Sequence, residues 1–269
     1  MRMRAHGVGV CLLFLLAFGS VCVLGPARGR ADPGKEEGGR VYSLKEGDLS
    51  YEFEWNGIAA AQAKASIKRK MHEGAECYHV VVDIRTKPFI DWLWKLRDRL
   101  EGYIEAKTFK PLRYSFRQRE GSYRHDTDII FDHKRNTATS IRTYKGKIKK
   151  KTVDAENMLD PVSALFYLLI RPLEPGQSRI LSVFDGKRVH TIKYEALGRE
   201  GVKVPVGKIN ALKVVPSFLR SDPPRKPVKG GGEKVREVFL WVSQDRHRDI
   251  VKIESDVFVG KINAKLIGR

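Results

Sequence analysis

Along residues 47–55 the apolar side chains fall on every second position, with Leu49, Tyr51, Phe53 and Trp55 alternating with Ser50, Glu52 and Glu54. A period of two places the two sets on opposite faces of a β-strand. Asn56-Gly57 follows, and both residues tolerate the positive φ angles of a two-residue hairpin turn. The expected partner strand, 58–70, sets Ala59, Ala61, Ala63, Ala65 and Ile67 against Gln62, Lys64, Ser66 and Lys68. Small side chains facing large ones predict a sharply curved sheet, or an element packed closely over it. Further strands are predicted at 77–86, 102–108, 112–119, 123–132, 137–144, 147–153, 178–184, 188–197, 202–205, 208–216, 235–243, 250–258 and 261–267. Turn residues separate them, Asp185-Gly186 marking a second clear hairpin.

Two segments break the alternation. Phe89, Trp92, Leu93, Leu96 and Leu100 recur at helical spacing and predict a short helix. Asp160-Pro161 offers an N-cap and a first-turn proline, and Val162, Leu165, Phe166 and Leu169 form the apolar face of a second helix that Pro172 ends. The fold class expected is mostly β: a curved antiparallel sheet, or an open or incomplete barrel, with two short helices. Residues 220–234, with three prolines and three consecutive glycines, are expected to form an exposed loop. The six residues 206–211 recur unchanged at 259–264, as two equivalent hairpin turns rather than a repeat architecture.

The first thirty-one residues carry Arg2 and Arg4, an apolar run from Val8 to Leu24 and the small residues Gly29 and Ala31. This is the pattern of a secretory signal peptide, with mature chain expected from Asp32; an uncleaved membrane anchor is the alternative. Cys22 lacks the upstream leucine of a lipoprotein signal. Residues 32–41 are polar and expected to be a flexible leader, so that 42–269 is a single β-rich domain and no transmembrane span remains after cleavage. The full chain of 269 residues has a formal net charge of +19, and losing the four arginines of the leader lowers it to +15. Cys77 is then the only cysteine, so no internal disulfide staples the fold, and it reads as a small buried hydrophobe.

Known chemical motifs are missing. The histidines have no metal-site spacing, and no phosphate loop or nucleophile elbow occurs. Asp126, Asp128 and Asp132 share one face of a strand, which suits a hard cation but equally suits a solvated strand face. No catalytic residue, metal or cofactor is assigned. Basic residues cluster at 68–70, at Lys147, Lys149, Lys150 and Lys151, and along 220–236. Export argues against nucleic acid as their partner and for lipid head groups, lipopolysaccharide phosphates, acidic glycans or an envelope protein; an unliganded solvated face is the plainer reading. Phe89, Trp92 and Trp94 lie too close together to share one buried face. Either Trp92 packs in the core with Trp94 partly exposed, or the group forms the mouth of an apolar ligand site.

Taken in order, Leu49-x-Tyr51-x-Phe53-x-Trp55-Asn56-Gly57-Ile58, Asp160-Pro161 before an apolar helix ending at Arg171, the Asp185-Gly186 hairpin, and Trp241-Val242-Ser243-x-Asp245 followed by Ile250-Val251-Lys252-Ile253 form a recognisable series. It resembles the bacterial family catalogued as domain of unknown function 3108, exported proteins mainly of Gram-negative bacteria. The resemblance spans roughly 42–267 and departs at Ala60 or Ala61, where a second glycine is common. It implies a periplasmic address and transfers no catalytic residue. An open barrel is also similar in architecture to the periplasmic lipoprotein carriers, an analogy of fold alone. The expected function is non-enzymatic binding of a lipid or an anionic envelope component, through Phe89, Trp92, Trp94, Lys147, Lys149, Lys150 and Lys151. An envelope scaffold binding other proteins, and a hydrolase without a recognisable motif, are the alternatives.

Overall fold

The computed structural model describes residues 42–222, 238–256 and 260–269, with Arg220 and Ser221 described by backbone alone. The expected signal peptide 1–31, the whole leader 32–41, the expected loop from 223 to 234, and Val259 of the second repeated turn lie outside the described residues.

Fifteen strands form one sheet: β1 (Gly47–Trp55), β2 (Ile58–His72), β3 (Ala75–Thr86), β4 (Arg97–Glu105), β5 (Pro111–Glu120), β6 (Tyr123–Asp132), β7 (Thr137–Tyr144), β8 (Lys147–Asp154), β9 (Met158–Leu159), β10 (Ser178–Phe184), β11 (Val189–Val204), β12 (Gly207–Asp222), β13 (Val238–Ser243), β14 (Ile250–Asp256) and β15 (Lys261–Gly268). Two helical elements accompany them, the single turn α1 (Pro88–Asp91) and α2 (Pro161–Ile170). The sheet runs β8 to β1 in descending order and then β15 to β9, so the first strand pairs with the last at its middle. All pairs are antiparallel except β9 with β10. The two edges, β8 and β9, are consecutive in the chain and separated by residues 155–157 alone. A link of that length spans at most about 14 Å, so the sheet must curl until its edges nearly meet. β8 and β9 are not hydrogen-bonded to each other, and the barrel stays incomplete.

The predicted small-against-large pairing is present in register, with Leu49 opposite Ala65, Tyr51 opposite Ala63 and Phe53 opposite Ala61. The curled sheet encloses α2. Pro161, Val162, Ser163, Ala164, Phe166, Leu168, Leu169 and Ile170 are all buried, so this helix is covered on every side rather than along one stripe. A buried helix needs partners for its terminal backbone groups. Asp160 accepts from the backbone N–H of Val162 (2.8 Å) and of Ser163 (3.1 Å) and from the Ser163 hydroxyl. At the other end Tyr42 N–H donates to the Ile170 carbonyl (2.8 Å), Arg248 Nε to Leu169 (3.0 Å), and the Arg179 guanidinium to the Arg171 carbonyl. The helix meets β4 where that strand has no side chain: a Cβ on Gly102 would lie 3.1 Å from Val162 Cγ1.

The tip of the β10–β11 hairpin closes one end of the interior. Gly186, at φ +86°, packs against the inner faces of β6 and β7, and a Cβ there would stand 2.6 Å from Thr127 Cγ2. Ser140 Oγ donates to its carbonyl (2.7 Å).

Three sequence expectations need correction. The stripe Phe89–Leu100 is not a helix; only Pro88–Asp91 is helical, and β4 begins at Arg97, five residues before the predicted strand. Asp98, Leu100, Gly102 and Ile104 alternate inward from there, so a period of two overrides the chance spacing of the leucines. The strands predicted at 188–197 and 202–205 are one, joined through a bulge between Ala196 and Gly198. β12 continues to Asp222, into the stretch expected as exposed loop, because it pairs residue by residue with β11 as far as Val189. The short parallel strand β9 had no periodic signal.

If α2 depends on the gap at Gly102, Gly102→Val should lower stability by about 1–3 kcal/mol through overpacking. Val162→Ala in the same chain should recover part of that loss. Urea denaturation measures both; a Gly102→Val midpoint equal to wild type contradicts the packing.

Candidate functional site

The turns 55–58, 86–97, 120–123, 144–147 and 184–189 all lie at one end of the sheet, as the strand directions require. The seven residues singled out from the sequence gather at or near this end, but not into one site. Phe89 and Trp92 project from α1 into solvent, and Trp92 is 92% exposed. Trp94 packs against the core beside Gly121, so the tryptophans play the reverse of the expected roles. The lysines sit four strands away on β8. Register places Lys147, Lys149 and Lys151 opposite Tyr144, Arg142 and Ser140 on the concave side, and Lys150 opposite Ile141 on the convex side.

The concave lysines belong to a larger group that the sequence does not reveal. Arg142 from β7, with Lys187 and Arg188 from the β10–β11 turn, stands near Lys149, and Lys151 Nζ donates to the Lys187 carbonyl (3.2 Å). Burial, then the charges of Arg188, Arg142 and Lys149, hold Lys187 below the ordinary lysine range. Burial likewise lowers Arg142, with Arg188 opposing its charge as well. Arg188 Nε is buried without a hydrogen-bond partner among the described residues. The carboxylate in their midst is Asp185, and it is already engaged. It accepts from Lys187 N–H (2.6 Å) and Arg188 N–H (2.5 Å) and pairs with the fully buried His190 (3.0 Å). Burial works against the Asp185 charge, but the His190 bond and those amides outweigh it, and its carboxyl stays below the usual range. His125 accepts from Arg142 (2.9 Å); burial, then Arg142, push it down to about 4, so its ring is neutral at pH 7.

The convex face has the opposite character. Asp128 pairs with Arg117 (2.8 Å), Asp126 with Arg119 (2.5 Å) and Asp132 with Arg135 (3.2 Å), so the three aspartates considered as a cation site are occupied by arginines. Among the described residues no group of three potential metal ligands comes together. A shallow recess of about 180 Å³ opens on this face, lined by Glu101, Tyr103, Arg113, Ser115 and Arg117. Its polar groups are paired too, Glu101 with His79 (2.5 Å) and with the Tyr103 hydroxyl (3.2 Å).

Inside the barrel, near the same end, Asp98 of β4 and Glu120 of β5 are both buried. Asp98 Oδ1 accepts from Arg119 N–H (2.7 Å), Gln118 donates to Glu120 (2.6 Å), and a side-chain hydrogen bond between the two carboxyls favours the proton on Glu120. Burial raises both carboxyls, Asp98 to about 6 and Glu120 to about 8, and the two repel each other when ionised. The pair therefore keeps a proton at neutral pH. Nothing in the sequence marks it, since it arises from register between adjacent strands.

The chain matches the family model described as "Protein of unknown function (DUF3108)" over residues 50–267, and belongs to that family. No curated protein matches it. Among solved structures its fold is similar to that of a β-barrel-like protein of domain of unknown function DUF1849 from Brucella abortus, at a TM-score of 0.55 and 10% identity, covering 84% of this chain and 97% of that one. A protein of YmcC-like fold from Bacteroides fragilis, whose name calls it a candidate exported protein, aligns at a TM-score of 0.33 and 9% identity over 85% of this chain and 98% of that one.

The raised carboxyls give a signed pH dependence. The folded state holds protons that the unfolded chain releases above its carboxylate range, so their stabilisation is fully present below about pH 4 and lost as pH rises through about 6 and about 8. Stability should fall by about 1–3 kcal/mol across that window. Glu120→Gln should flatten the fall between about pH 7.5 and 9, above the range in which His125 titrates in either state. Chemical denaturation at a series of pH values decides this, and a variant that loses stability in parallel with wild type refutes the assignment.

Proposed function

We propose that this member of the DUF3108 family is a non-catalytic, periplasmic binding protein for anionic components of the cell envelope, which it engages at the cationic end of the barrel. The observation that carries this reading is the group Arg142, Lys149, Lys187 and Arg188, whose charges oppose one another around a single carboxylate, Asp185, that is already saturated. Cations held together against their mutual repulsion provide a favourable field for an anion. On the convex face Asp126, Asp128 and Asp132 are each paired with an arginine, which sharpens the contrast with this group. A phosphate or carboxylate approaching Arg188 would also supply an acceptor for its unpartnered Nε.

The reading does not rest on an enclosed lipid. α2 and the tip of the β10–β11 hairpin fill the interior, so a carrier that swallows its ligand has less support than a surface binder. The enclosed carboxyls Asp98 and Glu120 likewise give little support to a hydrolase. A scaffold remains the second reading, favoured by the outer edge of β8, which no other described strand pairs. The lysines along that edge would oppose pairing with a second copy and admit only an acidic strand.

Pyrophosphate and an alginate oligomer provide phosphate and carboxylate probes. Both should bind more weakly as ionic strength rises to about 0.3 M. The double variant Lys149→Glu, Lys187→Glu should weaken the preferred probe at least about tenfold. Calorimetry reads these affinities; absence of binding by both probes, or binding indifferent to the charge reversals, overturns the proposal.

A further inference from the structure

At the same end of the barrel, Phe89, Trp92 and Leu93 are 59%, 92% and 70% exposed, and the neighbouring β1–β2 turn adds Ile58 at 54% and Trp55 at 36%. Lys87 N–H donates to the Ala60 carbonyl (2.9 Å), which seats the base of the α1 projection beside that turn. Exposed large apolar groups are ordinary one at a time; a cluster including two tryptophans on one tip is not.

The projection is built, not loose. Pro88 opens it, and the N–H groups of Ile90 and Asp91 donate to the Lys87 carbonyl (2.9 and 3.0 Å). The Asp91 carboxylate accepts from the Thr86 hydroxyl and the Arg97 guanidinium, and Leu96 N–H closes on Thr86 Oγ1 (3.0 Å). Those two partners hold Asp91 below the usual carboxylate range. Trp94 N–H donates to the Ile90 carbonyl (2.8 Å) while its ring packs inward against the core. Every polar group that fixes the turn is thus satisfied at its base, and Phe89, Trp92 and Leu93 are held outward on a scaffold that needs no partner to form. Two exposed cations lie next to the tip, Lys95 two residues after Leu93 and Lys261, 76% exposed, beside the β1–β2 turn.

We propose that this tip enters the interfacial region of an anionic lipid bilayer, with Trp92 and Leu93 deepest and the surrounding lysines on the head groups. Tryptophan favours that boundary, where its ring is apolar and its N–H stays hydrated. A convex apolar point with Lys95 and Lys261 beside it matches a deformable anionic surface better than the preformed pocket of a protein partner. The inference shares with the proposed function the end of the molecule that meets the envelope, but it rests on different side chains.

Sedimentation with vesicles of phosphatidylethanolamine and phosphatidylglycerol, in a ratio of about three to one, tests it. Wild type should bind, and vesicles carrying bromine on their acyl chains should quench its tryptophan fluorescence. Trp92→Phe should keep most of the binding and lose most of the quenching. The triple variant Phe89→Ser, Trp92→Ser, Leu93→Ser, whose changes lie outside the core, should keep its circular dichroism and bind at least about tenfold more weakly. Quenching that persists with Lys149→Glu, Lys187→Glu would support the tip as a site independent of the cationic group. Adsorption released by salt and without quenching would leave the cationic reading and overturn the tip. A triple variant that binds like wild type overturns it as well.

Discussion

Ala155, Glu156 and Asn157 are all that separates the two edges of a fifteen-stranded sheet. A flat meander of that width would hold its first and last edges tens of ångströms apart, since neighbouring strands lie about 4.8 Å from each other. The short link therefore imposes curvature on every strand between, and curvature creates an interior that must be filled. The chain fills it immediately after the link, with α2. Bringing a helix inside brings its unpaired termini inside as well, which explains why Asp160, Ser163, Tyr42, Arg248 and Arg179, drawn from distant parts of the sequence, converge on its two ends. Gly102 on β4 and Gly186 on the β10–β11 turn are the points where this filling is tightest.

With the interior filled, the proposed binding falls on the surface, and the surface is asymmetric. On the convex side aspartates and arginines neutralise each other strand by strand. At one end, the inward curl of β7 and β8 meets the inserted turn 185–188 and leaves Arg142, Lys149, Lys187 and Arg188 sharing one occupied carboxylate. The same end carries the rigid apolar projection at α1. A large positive net charge on its own says little about where a protein acts. The proposed binding of an anionic boundary rests on this cationic group lying at the same end of the sheet as the α1 projection.

How much of this was readable without coordinates depended on whether the signal was local. The β1–β2 hairpin follows from strict alternation and Asn56-Gly57, and α2 from Asp160-Pro161 and its apolar run. The stripe from Phe89 to Leu100 misled, because two inward leucines on either side of the start of β4 happen to continue a helical spacing begun by an exposed turn. The lysine run on β8 was visible, yet its division into concave and convex faces needed the register with β7. Arg142 and Arg188 had no signal, being some forty-six positions apart, and the Asp98–Glu120 pair is likewise a product of strand pairing. The order of features along the chain carried the family; its chemistry was spatial.

A filled barrel requires α2 to be a permanent part of the core rather than a plug that leaves to admit a ligand. Amide hydrogen exchange of the intact protein, followed through α2 as urea is added below the unfolding transition, measures this directly. The account predicts that residues 164–170 exchange only by global unfolding, with protection falling alongside overall stability. Exchange of α2 through a local opening insensitive to urea, while β3–β6 stay protected, would contradict it and restore an internal ligand site.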